Sequence, residues 1–253
     1  MADSAAIPAE SVDVPTAILP AGTSVQRHSA IVRVTHWLTT LSLFGLLLSG
    51  TELVISHPRF YWGEVGNIWV KPLFQIHIPA SRAMVVTGYN YTLPDQNGWS
   101  RYLHFQSAWI LVLSGLLYVI SGLVTRHFRN DLAPARSDRS WSRLSASIRE
   151  HLSVKRPTDT HSYNLLQRLT YLTVIFGLIP LAIWTGLAMS PAFVSAFPLT
   201  VNLLGGTQSA RTIHFFVSLA LTLFVLVHVW MVVRSGFKRS MKAMTIGTPM
   251  ERP

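Results

Sequence analysis

The 253-residue sequence contains no cysteine. This absence excludes disulfides, thiolate-held iron–sulfur clusters and the C-x-x-C-H attachment of c-type haem. Any redox centre must therefore be held by histidine or by another non-thiol ligand. The chain has ten histidines, so such ligands are available.

Charged residues are also scarce, at 13% of the chain, whereas 49% of the residues are hydrophobic. The mean hydropathy of +0.35 is typical of a membrane protein and not of a soluble domain. Only one acidic residue, Glu52, lies in the apolar windows. This scarcity argues against a histidine-lined transporter, because carboxylates are expected along the pore of such a protein. That alternative nevertheless stays open.

Four apolar windows have the length of about 20 residues that a helix needs to cross a bilayer. Because lipid offers no hydrogen bonds to the backbone, such segments must be helical when no barrel pattern is present. We therefore predict an all-α integral membrane four-helix bundle in a single domain, residues 26–240, between a disordered cytoplasmic tail at 1–25 and a second tail at 241–253. The predicted spans are residues 34–56, 102–124, 166–189 and 212–233.

Basic residues are distributed unevenly between the connections. Eight lie between Arg126 and Arg156 and five follow the fourth span, which by the positive-inside rule places both termini and the middle connection in the cytoplasm. The net charge of +10 is then a topology signal, and we expect no nucleic-acid partner. The long outer connection, rich in aromatic residues, either caps the bundle or docks a partner.

Two histidines, His214 and His228, stand fourteen residues apart in the last apolar window. In an α-helix they share one face but are separated by about 21 Å, too far to bind one metal ion. Ionisable side chains within a span are costly and commonly functional. His104, at the start of the second span, is level with His214, and His36, near the start of the first span, is level with His228.

Paired imidazoles inside an apolar bundle predict two b-type haems, each ligated on both faces by histidine. Arginines one turn before three of these histidines, namely Arg33, Arg101 and Arg211, are candidates to bind the haem carboxylates. Interfacial anchoring of the spans explains each arginine equally well.

These features resemble the di-haem cytochrome b subunits of formate dehydrogenases, nickel–iron hydrogenases and thiosulfate reductases. The stretches HPRFYWGEVGN, YNLLQRLTYLTVIFGLIPLAIWTGLAMSP and GGTQSARTIHF are most similar to the cytochrome b561-type subunit that accompanies exported molybdopterin oxidoreductases. The resemblance implies an electron-transfer subunit of a bacterial inner membrane, surrounded by lipid, that links the quinone pool to a periplasmic molybdenum-cofactor oxidoreductase. Catalysis on the substrate would belong to that partner. A self-contained cytochrome b561 that reacts with a small oxidant is the alternative.

The start of the third span, YNLLQRL, holds Asn164 and Gln167 on adjacent turns of one face. In formate dehydrogenase-type subunits an asparagine in a similar setting lies at the quinone site. The resemblance therefore points to Asn164, and less directly to Gln167, as quinone-binding residues beside the inner haem. A helix N-cap at Asn164 with Gln167 as its capping-box partner is the other reading.

Overall fold

The computed structural model describes residues 29–67, 69–78, 97–128, 145 and 165–247. The predicted tail at residues 1–25 lies outside the described residues. So do the last residues, 248–253, and the middle connection from 129 to 164 apart from Ser145.

Four helical spans, each long and apolar enough to cross a membrane, dominate the described part of the chain. They confirm the predicted all-α membrane bundle. The first two are α1, Ala30–Ser56, and α2, Asn97–Val124. The third consists of α3, Leu165–Thr173, a π-helical segment, Val174–Leu178, and α4, Ile179–Leu187. Two short helices, α5 (Pro191–Ala196) and α6 (Leu199–Asn202), lead to α7, Thr207–Thr245.

Small polar residues line the contact between α1 and α2. On α1 the buried hydroxyl residues recur every seven positions, and α2 repeats the pattern. This spacing keeps one stripe of each helix facing its neighbour, and the small side chains let the backbones approach closely. The residues are Thr35, Ser42, Ser49 and Ser56 on α1, and Ser100, Ser107 and Ser114 on α2. The large apolar side chains of α1, such as Phe44, are left exposed for lipid.

The third span is not a regular α-helix along its whole length. Pro180 lacks a backbone N–H, and its ring conflicts with the carbonyl one turn earlier in an ideal helix. The chain widens into the π-helical segment Val174–Leu178 just before this proline, as π-bulges within helices commonly do. Val174, the first residue of this segment, packs with Val217 and Leu221 of α7 in an apolar cluster of the bundle.

The last helix runs past the predicted end of the fourth span. It bends at Gly236, whose φ of 111° is a backbone conformation that favours glycine. After the bend it remains helical to Thr245, so the first residues of the segment predicted as a tail, 241–245, continue the helix. Its final turn lies against the start of α1, where Trp37 Nε1 donates to Met244 O at 2.9 Å and Arg33 Nη1 to Thr245 O at 3.2 Å.

The outer connection forms a cap over the beginning of α7. Two short antiparallel strands, β1 (Arg59–Phe60) and β2 (Phe74–Gln75), pair with Phe60 opposite Phe74. The rings of Phe60 and Phe74 stack at 4.7 Å, and Phe60 also contacts Phe215 at 4.5 Å. Of the two roles left open by the sequence, the described part of this connection therefore performs the capping role.

Backbone hydrogen bonds fix this cap in place. Gly63 O accepts from Gln208 N at 3.0 Å and Ser209 N at 3.2 Å, at the free N–H groups of the first turn of α7. Thr212 Oγ1 donates to Tyr61 O at 2.7 Å. A side chain on Gly206, with φ of 114°, would come within 2.6 Å of the Gly63 carbonyl group. Only glycine allows this close approach.

Candidate functional site

The structure brings the four predicted histidines together in two pairs. The ring centroids of His104 and His214 lie 6.2 Å apart, and those of His36 and His228 lie 6.3 Å apart. The two rings of each pair belong to different helices, and the fourteen-residue spacing on α7 places one pair near each end of the bundle. We call these the outer pair, beside the cap, and the inner pair, beside the bend of α7.

The ring separation fits two imidazoles that bind opposite sides of one iron ion. A metal–imidazole bond is about 2 Å long and a ring centre lies about 1 Å behind its nitrogen, so the two centroids would be about 6 Å apart. A direct hydrogen bond between aligned rings would shorten the separation to about 5 Å. Both observed separations, 6.2 and 6.3 Å, match the iron-bridged arrangement.

Each ring of the outer pair is contacted by a hydroxyl from a neighbouring helix. Ser49 Oγ of α1 lies 3.0 Å from His104 Nδ1, and Thr185 Oγ1 of α4 lies 2.9 Å from His214 Nδ1. Both hydroxyl residues are fully buried. The nitrogen engaged in each ring is Nδ1, which leaves Nε2 as the nitrogen available to a metal.

These two hydroxyl residues were missed by the sequence analysis. Each precedes a glycine, and a Cβ built on Gly50 or Gly186 would lie 3.7 Å from His104 Cε1 or 3.6 Å from His214 Cε1 respectively. The signal available in the sequence was the repeated dipeptide, Ser-Gly in the first span and Thr-Gly in the third. Serine, threonine and glycine are common at ordinary helix contacts in membranes, so the dipeptide alone does not indicate a ligand site.

Aromatic rings surround the inner pair. His228 stacks on Phe224 of its own helix at 5.8 Å and 24°, and the ring of Tyr171 from α3 meets it edge-on at 6.4 Å. On the other side His36 has an edge contact with Trp37 at 5.5 Å. The inner pair therefore lies among aromatic rings contributed by α1, α3 and α7.

The three predicted arginines have different surroundings. Arg211 donates to the carbonyl of His57 at the end of α1, and its guanidinium lies 5.2 Å from the centroid of the Phe60 ring. Arg33 donates to Thr245 O, as described above, whereas Arg101 is exposed on the first turn of α2. Two of the three arginines thus have polypeptide partners, which tests neither anchoring at the membrane interface nor carboxylate binding.

The structure describes only one of the two residues proposed for quinone binding. Asn164 lies outside the described residues. Gln167 is half-buried on α3, one turn before Tyr171, whose ring contacts His228. The inner histidine pair and Gln167 therefore belong to the same end of the bundle.

The glycines of the spans divide into two groups. A Cβ on Gly45 would overlap Ser107, and one on Gly122 would overlap Phe128, so close packing accounts for these two. Among the described residues, no heavy atom would lie within 4 Å of a Cβ on Gly115, and only Thr173 of its own helix would approach one on Gly177. Within the described part of the chain, packing against another helix therefore does not account for these two glycines.

Electrostatic effects at the outer cap lower two pKa values. Burial, followed by the positive charges of Arg211 and Arg101, lowers the pKa of His57 below its ordinary 6.5. Hydrogen bonds from Thr207 N and Oγ1, both 2.8 Å, lower the pKa of Glu64 below 4.5. The ionised Glu64 carboxylate faces the N-terminus of α7, where the helix dipole favours a negative charge.

The described residues contain no group of three or more His, Cys, Asp or Glu side chains placed to hold a metal ion. The histidines instead come in pairs, which suits a cofactor that supplies its own in-plane ligands, as a haem macrocycle does.

Comparisons with known proteins agree with this arrangement. The family model described as prokaryotic cytochrome b561 matches residues 27–247. A protein of Azospira oryzae, named as a putative protein-methionine-sulfoxide reductase subunit YedZ1, is 30% identical over 206 residues, which cover 81% of this chain and 89% of that relative. No solved structure gives a significant match.

Proposed function

This chain belongs to the prokaryotic cytochrome b561 family, and we propose that it conducts electrons through two b haems between the quinone pool and an oxidoreductase at its outer face. Family membership makes it a bacterial inner-membrane electron-transfer protein with b-type haem. We propose further that it holds two haems, exchanges electrons with a quinone and has both termini in the cytoplasm. The observation that carries it is the pair of imidazole separations, 6.2 and 6.3 Å, near opposite ends of one bundle.

When bound, each haem supplies one-electron redox chemistry that no side chain of this cysteine-free chain offers. The protein's part is ligation, orientation and insulation. His104 and His214 would ligate the outer haem, and His36 and His228 the inner one. The apolar spans exclude water from the space between the two pairs. Arg33, Arg101 and Arg211 remain candidates for the haem carboxylates.

The outer face suits a partner protein. The cap orders the connection above the outer histidine pair yet leaves large aromatic side chains uncovered, among them Trp62 and Trp69, the latter 87% exposed. Exposed aromatic side chains are enriched at protein interfaces. We propose that a periplasmic molybdenum-cofactor oxidoreductase docks on this face, and that both termini lie in the cytoplasm.

The name of the Azospira oryzae relative favours one reaction for the partner, reduction of methionine sulfoxide in proteins. This reaction takes two electrons and two protons, breaks the sulfur–oxygen bond and releases water. The electrons would come from a membrane quinol through this chain. The self-contained cytochrome b561 is the second candidate, and recovery of the chain without a partner but with full quinol-linked activity would favour it.

Quinone exchange is proposed at the inner end because the partner occupies the outer one. A buried quinone headgroup has two carbonyl oxygens that need hydrogen-bond donors. Gln167 lies on α3 beside Tyr171, near His228, and Asn164 precedes it by three residues. A helix N-cap formed by Asn164 and Gln167 is the competing explanation, and quinol kinetics separate the two.

The decisive experiment is a reduced-minus-oxidised optical spectrum of the purified full chain together with its haem content. We expect a low-spin b-type spectrum and two haems per chain. A chain without haem would overturn the proposal and favour the histidine-lined transporter. Affinity purification from native membranes tests the partner, and we expect a molybdenum-containing oxidoreductase to copurify with the chain.

A further inference from the structure

The outer histidines share a second feature beyond their separation. The Nδ1 atom of each ring lies close to a hydroxyl on a helix that carries no ligand at that level, Ser49 on α1 and Thr185 on α4. Both hydroxyls come from residues with 0% exposure, so water does not compete for these bonds. The two contacts are nearly equal in length, 3.0 and 2.9 Å.

The direction of these hydrogen bonds follows from counting hydrogens. Ser49 Oγ lies 2.7 Å from Gly45 O, and Thr185 Oγ1 lies 2.8 Å from Leu181 O, one turn earlier in each helix. A hydroxyl has one hydrogen, and a carbonyl oxygen can only accept it. With that hydrogen committed to the helix carbonyl, the hydroxyl oxygen can only accept from the imidazole. The hydrogen of each ring therefore resides on Nδ1.

This arrangement determines which nitrogen is available to iron. A neutral imidazole with its hydrogen on Nδ1 has its free lone pair on Nε2. Donation from Nδ1–H to an acceptor also makes the ligating nitrogen more basic and holds the ring in one orientation. A more basic ligand stabilises the ferric state more than the ferrous state, which lowers the midpoint potential of the metal.

We propose that Ser49 and Thr185 are positioning residues that fix the Nδ1–H tautomer of His104 and His214 and lower the midpoint potential of the outer haem. The inference rests on the proposed bis-histidine ligation. It assigns to the outer haem a pair of neutral hydroxyl acceptors, and at the inner pair His228 has ring contacts with Phe224 and Tyr171. Two residues that contact neither the haem iron nor the substrate thereby lower the midpoint potential of the outer haem.

The test uses the full chain with haem bound and potentiometric titration of each haem. Thr185→Val removes the hydroxyl with almost no change of shape, and Thr185→Ser keeps the hydroxyl. Ser49→Ala removes the second acceptor. Ser42→Ala is the matched control for Ser49→Ala. Ser42 lies on the same stripe of α1 and is also fully buried, and its hydroxyl donates to Leu38 O, one turn before it, at 2.7 Å.

We expect Thr185→Val and Ser49→Ala to retain two low-spin haems and to raise the outer midpoint potential. At a fixed ambient potential, the ratio of reduced to oxidised outer haem should rise several-fold in each variant. This is the size of change expected when one hydrogen bond is lost. Thr185→Ser and Ser42→Ala should leave the potential of both haems unchanged.

Two results would overturn the inference while leaving the proposed function intact. One is an unchanged outer potential in both hydroxyl-deleting variants with both haems bound. The other is an equal shift in Thr185→Ser and Thr185→Val, which would assign the effect to packing. A wild-type chain that binds no haem would instead remove the proposed function on which the inference rests.

Discussion

The two ends of the bundle hold their histidine pairs by different means. At the outer end, a cap is joined to α7 by backbone hydrogen bonds at Gly63, and buried hydroxyls engage the imidazole rings. At the inner end, aromatic rings surround His228, and α7 bends at Gly236 before its last turn meets α1. Hydrogen bonds have a narrower preferred geometry than ring contacts, which include several offset and edge-on arrangements. Two hydroxyls therefore orient the rings of the outer pair, whereas ring contacts surround His228 of the inner pair.

This difference agrees with the different tasks proposed for the two ends. A partner protein that docks at the outer end needs a surface and a redox centre at fixed positions. A quinone that enters and leaves the inner end needs apolar walls and donors that accommodate exchange.

The first prediction is that each histidine pair is required for a different haem. Alanine at His104 or His214 should remove the outer haem alone, and alanine at His36 or His228 the inner one alone, since each pair is proposed to bind one haem iron. Haem content and the low-temperature spectrum of each purified variant measure this. If all four variants kept two haems with unchanged spectra, the pairing would be wrong.

The second prediction assigns quinol exchange to the inner end. Asn164→Ala should slow reduction of the haems by a quinol analogue on the order of tenfold, through loss of one hydrogen bond to the quinone, with both haems still bound. Asn164→Ser should preserve a helix cap but remain slow. Gln167→Leu should have a smaller effect in the same direction. Stopped-flow absorbance records the rates.

The control for quinol exchange is Asn202→Ala, an exposed amide of α6 near the outer end. It should leave the rate unchanged. A normal quinol rate in a well-folded Asn164→Ala variant would exclude Asn164 from the site and favour its role as a cap.

The third prediction compares two glycines with positive φ at the two ends. Gly206→Ala should destabilise the chain by about 3 kcal/mol, because backbone strain is added to overlap with Gly63. Gly236→Ala should cost only about 1 kcal/mol, since its Cβ meets no described atom within 4 Å and only strain remains. Thermal loss of the haem spectrum measures both. Equal costs would contradict the tighter construction of the outer end.

The smallest effect is the acid sensitivity of the outer cap. The folded pKa of His57 lies below 6.5, so its contribution to stability is present above that pH and is lost as the pH falls below it. The contribution of Glu64 is likewise present above 4.5 and is lost as the pH falls through its lowered pKa. The protection factor of the Thr207 amide, which corrects the exchange rate for its intrinsic pH dependence, should therefore fall on acidification before the protection factors of the inner turns of α7.

Glu64→Gln isolates the second of these contributions. In this variant the protection factor of the Thr207 amide should already be lower at neutral pH, and its further fall below pH 4.5 should disappear. An unchanged acid response in Glu64→Gln would show that another group controls the cap.

Much of the fold could be predicted because lipid imposes simple rules. Four apolar segments of sufficient length must be helices, and the confirmed bundle follows from that requirement. The pairing of His214 with His104 and of His228 with His36 also follows from helical geometry and depth in the bilayer. The π-helical segment near Pro180 could not be predicted, because a proline in a membrane helix is accommodated in several ways.

The sequence by itself determined the number of spans, the face shared by His214 and His228 and the exclusion of thiol ligands, since composition and helical periodicity are local properties. Only the tertiary structure decided that Ser49 and Thr185 contact the imidazoles, that Arg211 bonds the end of α1, and that the outer connection caps α7. Each of these contacts joins residues far apart in the chain. A hydroxyl or guanidinium has many acceptors within reach, and only the packing of the helices selects one.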